Sequence, residues 1–278
     1  MPTSNPARAA APRHPNPSPL GLLSELEGNW SGTGFNLIAV PGKQVGLDFR
    51  LLLNATTESL SFSAIGGVVP NRGSLQGDIG IFGLTYLQRV NDAVTHEGIH
   101  IEPGIWLNVP ATTEPPAPAS IVRQSTIPHG DSLLAQGQGL NVAGGPHILP
   151  ISSAPTGPGL KTKLPGYLDP YSHSNLPPNI KQSYVANPNQ MLQDAIAGQN
   201  IVNTVVLQVA SIPVGGIVNI PFVNANANAT KLSATFWIET VQRPDGTQFL
   251  QLQYTQTVIL NFLNIDWPHI SVATLIRT

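Results

Sequence analysis

The sequence of 278 residues has no cysteine, which excludes disulfides, thiolate metal sites, iron–sulfur clusters and a cysteine nucleophile. Charge is scarce as well, because charged residues make up 10% of the chain and the formal net charge is −2. Nucleic acids and anionic membranes are bound by basic surfaces, so neither partner is expected. No apolar run approaches the ~18 residues of a membrane-spanning helix, so we expect no transmembrane segment.

Signatures of nucleotide binding and of hydrolases are also missing. The sequence has no G-x-x-x-x-G-K-[ST] motif and no G-x-G-x-x-G between a strand and a helix. His129 and Asp131 are two residues apart in a predicted turn, but no G-x-S-x-G elbow supplies a nucleophile for such a pair. A hydrolase is therefore not indicated.

Alternation of apolar and polar residues, which is typical of half-buried strands, fills most of the chain. Asn54 to Glu58 is predicted to be a turn that joins the first two strands in a hairpin, and Arg243 to Gly246 a tight turn between two late strands. The predicted strands are 47–53, 60–64, 79–90, 93–108, 120–126, 132–138, 201–209, 217–223, 232–241, 249–262 and 269–277.

This pattern predicts an all-β fold, an antiparallel up-and-down β barrel of about ten strands. The long alternating stretch 249–263 favours a tilted barrel wall over a sandwich. Residues 1–20, rich in proline, are predicted to be a disordered tail, and 21–278 a single barrel domain. A Gly/Pro-rich insertion at about 139–199 is expected to lie against the barrel, with a short helix over 190–197. The run 224–229 is predicted to be a loop, with a strand edge as the alternative.

Three stretches carry a family resemblance. Residues 26–35, LEGNWSGTGF, contain the pattern G-x-W-x-G-x-G; residues 100–106, HIEPGIW, contain H-x-E-x-G-aromatic; and residues 268–277, PHISVATLIR, are close to H-L-x-A-x-L-x-R. In this order they resemble the nitrobindins, haem-binding β barrels related to fatty-acid-binding proteins and lipocalins. The resemblance covers roughly 20–138 and 201–278 of the chain.

The resemblance implies haem b at the barrel mouth, with the iron ligated by the histidine of the last strand, which is His269 here. It also implies nitric oxide binding or isomerisation of peroxynitrite to nitrate. Alternation places His269 and Ala273 on one face of the strand, where a small side chain leaves room for a flat macrocycle. We therefore predict His269 as the metal ligand and His269, His100 and Ala273 as cofactor-binding residues.

His100 and Glu102 lie two apart and share a face of their strand. They fit a hydrogen-bonded pair that ties neighbouring strands, a group supporting the cofactor, or half of a metal site. His96 would be a third ligand, but at ~3.3 Å per residue it lies ~13 Å from His100, too far to share one ion. A buried polar pair is the favoured interpretation.

Two alternatives to haem remain open. One is a haem-free carrier of a lipophilic small molecule, with the apolar insertion as its lid. The other is a structural barrel whose interior is filled by side chains. The large aromatic Trp30 is expected to plug the closed end in each case. With no secretory signal in the sequence, a cytoplasmic location is expected.

Overall fold

The computed structural model describes residues 18–162 and 166–278. Most of the predicted tail, residues 1–17, lies outside the described residues.

Ten long antiparallel strands form a closed barrel, as predicted. Each strand pairs with the next along the chain, β10 pairs with β1, and β6 pairs with β7 across the insertion. The strands are β1 (Gly28–Pro41), β2 (Phe49–Ala64), β3 (Ile79–Asp92), β4 (Gly98–Val109), β5 (Ser120–Ile127), β6 (Asp131–Ala143), β7 (Asn200–Ser211), β8 (Asn228–Gln242), β9 (Gln248–Phe262) and β10 (Ile265–Arg277).

Short helices and strands lie in the segments that connect the barrel strands. The helices are α1 (Asp169–Ser172), α2 (Gln182–Ala186), α3 (Asn189–Ile196) and α4 (Pro221–Asn226), with 3-10 turns at Gly21–Glu25, Lys43–Val45, Pro158–Thr162 and Gly166–Leu168. Short strands lie at Val69–Asn71, Thr112–Thr113, Pro116–Ala117 and Ile217–Asn219.

Alternation along β10 shows how the wall is built. Ala273 and Leu275 belong to the apolar cluster inside the barrel, whereas Ile270 and Val272 belong to a second cluster on the outer face. Both faces of this part of the wall are therefore buried, which explains why the strand is apolar on both sides.

The predicted hairpin turn at 54–58 is wrong, because β2 runs unbroken through these residues and pairs with β1 and β3. Thr56 and Glu58 are buried, and the Thr56 hydroxyl donates to Glu58 Oε1 at 2.8 Å. Asn54 Nδ2 donates to Asp92 Oδ2 at 2.8 Å. Polar residues with partners inside the barrel have the same composition as a turn, which misled the prediction.

One end of the barrel is closed by the chain that precedes β1. Leu23, Leu26 and Trp30 are fully buried there, and Trp30 Nε1 donates to the Leu26 carbonyl at 2.7 Å. The predicted plug is confirmed. The Arg243–Gly246 turn lies at the same end, between β8 and β9.

The insertion begins later than predicted, because β6 continues to Ala143 and pairs with β7. The predicted helix is present as α3, Asn189–Ile196. The apolar residues of the insertion pack on the outer faces of β1, β8, β9 and β10. This cluster includes Ile148, Tyr184, Val185 and Leu192 of the insertion and Trp237 and Trp267 of the barrel. The insertion covers the outer wall of the barrel, so the expectation that it acts as a lid over the cavity is wrong.

Residues 212–227 lie at the open end instead. We call this stretch the lid segment. Residues Ile217–Asn219 pair with β6, and α4 then leads to β8. The sequence predicted a strand over 217–223 and a loop over 224–229, so the strand is shorter than predicted and a helix follows it. Pro221 has no backbone N–H and sits in the first turn of α4, so it ends the pairing and suits a helix start.

Candidate ligand cavity at the barrel mouth

A cavity of about 380 Å³ opens at the mouth of the barrel. This volume lies in the lower part of the range of small-molecule sites, about 300–1,000 Å³. Most of its lining is apolar, from Ile38, Val40, Ile127, Leu133, Ile217, Phe222, Val223, Ala227, Ala229, Leu232, Val258 and Leu260; the polar members are His100, His129, Asp131, Ser132, Asn226, Gln256 and His269. The expectation of a barrel filled throughout by side chains is therefore wrong.

His269 stands on one wall, near the start of β10. Asn36 Nδ2 of the adjacent β1 lies 2.9 Å from its Nε2 and 2.8 Å from Ser271 Oγ. Burial, followed by the proximity of the His100 and His129 imidazoles, lowers the pKa of His269 to about 3. At neutral pH the ring is therefore uncharged, which is the form that donates a lone pair to a metal.

The floor of the cavity is a buried polar network centred on Arg123. Its Nη2 donates to Glu102 Oε1 at 2.6 Å, its Nε to the Tyr86 hydroxyl at 2.9 Å, and its Nη1 to Gln256 Oε1 at 2.7 Å. Tyr86 also donates to Glu102. Burial alone would raise the pKa of Glu102, but the guanidinium and the hydrogen bonds from His100 and Tyr86 outweigh it and hold that pKa well below its usual range.

A second buried network lies beside the first. Tyr254 donates to Glu58 Oε2 at 2.6 Å, and Gln88 Nε2 donates to the Tyr254 hydroxyl at 2.9 Å. Burial raises the pKa of Glu58 even though these groups and Thr56 favour its charged form. The two networks form a polar layer between the apolar closed end and the cavity.

His100, His129 and Asp131 form the polar wall of the cavity. His100 Nε2 lies 3.3 Å from Glu102 Oε2, and its ring centroid is 5.8 Å from that of His129. Burial, then the nearby His100, lowers the pKa of His129; burial raises that of Asp131, although both histidines favour its charged form. The protonation states of these side chains therefore influence one another.

The structure brings two of the three predicted site residues to this cavity. His269 and His100 line it, whereas Ala273 is fully buried in the apolar cluster below it. His96 is exposed in the turn before β4 with a φ of 62°, so the predicted strand start at residue 93 is wrong. The two-residue spacing of His100 and Glu102 predicted that their side chains share a face and form a polar pair, and the two side chains lie within hydrogen-bond distance.

Sequence reasoning missed Gln256, and it treated His129 and Asp131 only as a hydrolase pair. Gln256 follows Tyr254 on the inward face of β9, so a polar residue interrupts an otherwise apolar register. That interruption was the available signal. Nothing in the sequence placed the 128–130 turn next to β4.

Among residues 18–162 and 166–278, no group of three or more His, Asp or Glu side chains is placed to hold a metal ion. No helix in the part of the chain that the structure describes is both long and apolar enough to cross a membrane.

Comparison with known proteins gives little beyond the fold. No family model matches the chain, and no curated protein matches it. Among solved structures, the chain is similar to Rv2717c from M. tuberculosis, with 15% identity, a TM-score of 0.47, and coverage of 94% of this chain and 97% of that one. The class of protein, a closed ten-stranded antiparallel barrel with a cavity at its mouth, rests on the strand pairing and the cavity of this chain itself.

Proposed function

We propose that this protein binds haem b in the cavity at the barrel mouth, with His269 as the protein ligand of the iron. The observation that carries the proposal is an uncharged imidazole on the wall of a largely apolar cavity that opens to solvent. The resemblance of the last strand to the nitrobindin pattern supports the same residue.

The donor chemistry fits haem. A porphyrin supplies four nitrogen ligands of its own, so one histidine from the chain is enough. The fit asks two things of the protein. Asn36 must release Nε2 of His269 if that nitrogen binds iron, and it keeps Ser271 as a partner when it does. The cavity must also leave part of the macrocycle at its open side, beside Phe222 of the lid segment.

The residues of the chain would divide the work. His269 would hold the iron, and the aliphatic lining would exclude water from the macrocycle. His100 and His129 would face the same enclosed space. Haem iron with one imidazole supplies a position for a small ligand such as nitric oxide or peroxynitrite.

Haemin titration of the purified protein tests the proposal. We expect a Soret band that saturates at one equivalent, and at least tenfold weaker uptake by His269→Ala. His96→Ala, the same change at an exposed histidine outside the cavity, should behave as wild type. Added imidazole should restore the spectrum of His269→Gly. An unchanged band in His269→Ala, or no uptake by the wild type, would contradict the assignment.

A second candidate is a haem-free carrier of a lipophilic molecule. It is favoured by the hydrogen bond that occupies His269 Nε2 and by the apolar residues that the lid segment turns toward the cavity. Under this alternative, protein that takes up no haemin would retain an apolar molecule that native mass spectrometry detects.

A further inference from the structure

The polar wall of the cavity has an unused acceptor. Asp131 lines the cavity, and its Oδ1 is buried without a hydrogen-bond partner among the described residues. A buried carboxyl oxygen left without a donor loses the hydrogen bonds that it would make to water, which costs free energy. A ligand that donates a hydrogen bond to this oxygen would recover that cost.

Gln256 offers an unused donor to the same cavity. Its Oε1 is taken by Arg123 Nη1 at 2.7 Å, and no described residue accepts a hydrogen bond from its amide nitrogen. Because Arg123 Nη1 binds Oε1 of Gln256, the amide nitrogen is the end that remains available to a ligand. The orientation of the Gln256 amide is therefore set by the floor network and not by the ligand.

Charge distinguishes which ligand these groups suit. The described lining residues include no lysine or arginine, and Arg123 below them is already paired with Glu102 at 2.6 Å. A ligand carboxylate would therefore find no lysine or arginine to pair with in this lining, and the charged form of Asp131 would repel it. Burial lowers the pKa of His129 below its ordinary value, which favours the uncharged ring at neutral pH.

We propose that the cavity selects a neutral, predominantly apolar molecule that carries a hydroxyl group, which donates to Asp131 Oδ1. A hydroxyl supplies the donor that this oxygen lacks without adding a charge, and Gln256 offers its own donor to an acceptor in the same cavity. The aliphatic lining and Phe222 of the lid segment would cover the apolar part of the molecule. This inference rests on the carrier function proposed above and names its ligand class.

Calorimetric titration with decan-1-ol and decanoate at pH 7.5 compares the two head groups on one chain. For the haem-free protein we expect the alcohol to bind at least tenfold more tightly than the acid. Asp131→Asn removes the repulsion and adds a donor, so the preference should fall below threefold. Asp245→Asn, the same substitution in the exposed turn between β8 and β9, should leave the preference unchanged.

A measurement on the wild type removes the dependence on variants that fold. A hydroxyl that donates to a carboxylate stabilises the charged form, so saturating decan-1-ol should lower the pKa of Asp131 followed by carboxyl ¹³C NMR. Equal or tighter binding of decanoate, or an unmoved Asp131 titration, overturns the inference while leaving the carrier function intact. Failure of both probes to bind overturns both, and haemin titration reports separately on the haem proposal.

Discussion

The buried pair of Arg123 and Glu102 predicts a large loss of stability on a nearly isosteric change. Both side chains are fully buried, and their Nη2 and Oε1 atoms are 2.6 Å apart. Glu102→Gln keeps the shape but removes the negative charge, which leaves the guanidinium buried with only neutral partners. Breaking a buried ion pair on one side costs about 3–5 kcal/mol.

Such a cost is a large part of the stability of a domain, which is typically about 5–15 kcal/mol. It corresponds to a fall in melting temperature of roughly 6–20 °C, at about 2–4 °C per kcal/mol for a domain of this size. Urea unfolding followed by tryptophan fluorescence measures it, because Trp106 lies 5.7 Å from the Arg123 guanidinium and reports on the network directly. The midpoint should fall by roughly 1–2.5 M.

Removing both charges is the matched control. The double variant Arg123→Met with Glu102→Leu removes both charges of the pair, so it should cost less than the sum of the two single changes. A loss of stability below about 1 kcal/mol for Glu102→Gln would mean that the pair contributes no more than an exposed salt bridge. That result would refute the claim that a buried ion pair stabilises the floor of the cavity. The low pKa of Glu102 adds a pH test: the contribution is present above its ordinary value of 4.5 and is lost only as the pH falls well below it.

Two further predictions concern the wall. Gly104→Ala should destabilise the barrel by about 1–3 kcal/mol in urea unfolding, because its new Cβ would lie 2.3 Å from the Gln124 carbonyl oxygen. Gly98→Ala is the control on the same strand, and it should cost little because the nearest neighbour of its new Cβ is 3.7 Å away. Equal losses of stability in the two variants would contradict the packing argument. Burial raises the pKa of Glu239, beneath the insertion, to about 8, so wild-type stability should fall by up to about 1.4 kcal/mol per pH unit between 4.5 and about 8 and then level off. Glu239→Gln should remove that slope in thermal unfolding from pH 5 to 9, and a slope that persists would assign it to another group.

The barrel was predictable from the sequence because period-two alternation and turn residues act locally. Strand β9 and the turn at Arg243–Gly246 follow from neighbouring residues alone. The break predicted at 54–58 shows the limit: Thr56 and Glu58 have partners on β2 and β9. Composition alone does not distinguish a buried polar cluster from a turn, since the partners are distant in sequence.

The candidate site was predictable only in part, for the same reason. His269 and His100 lie in recognisable strand motifs, and both line the cavity. Asp131 and Gln256 become site residues through closure of the barrel, which brings the starts of β4 and β6 against the end of β9. Ala273 shares the face of His269 but lies deeper, and a face assignment gives no depth along the barrel axis.

Depth along that axis explains why the cavity lies at the mouth of the barrel. Large side chains such as Trp30, Trp106 and Phe236 fill the interior at the closed end, and Trp106 packs edge-on against Phe236 at 5.2 Å. Above them, Arg123, Glu102, Tyr86 and Gln256 form one hydrogen-bonded network, and Glu58, Gln88 and Tyr254 form a second one beside it. A ligand that penetrated this layer would have to strip those groups of their partners, at several kcal/mol for the ion pair alone. The layer therefore sets the floor of the cavity, so a ligand held there would contact only the upper side of this layer, which includes Gln256, and the residues above it.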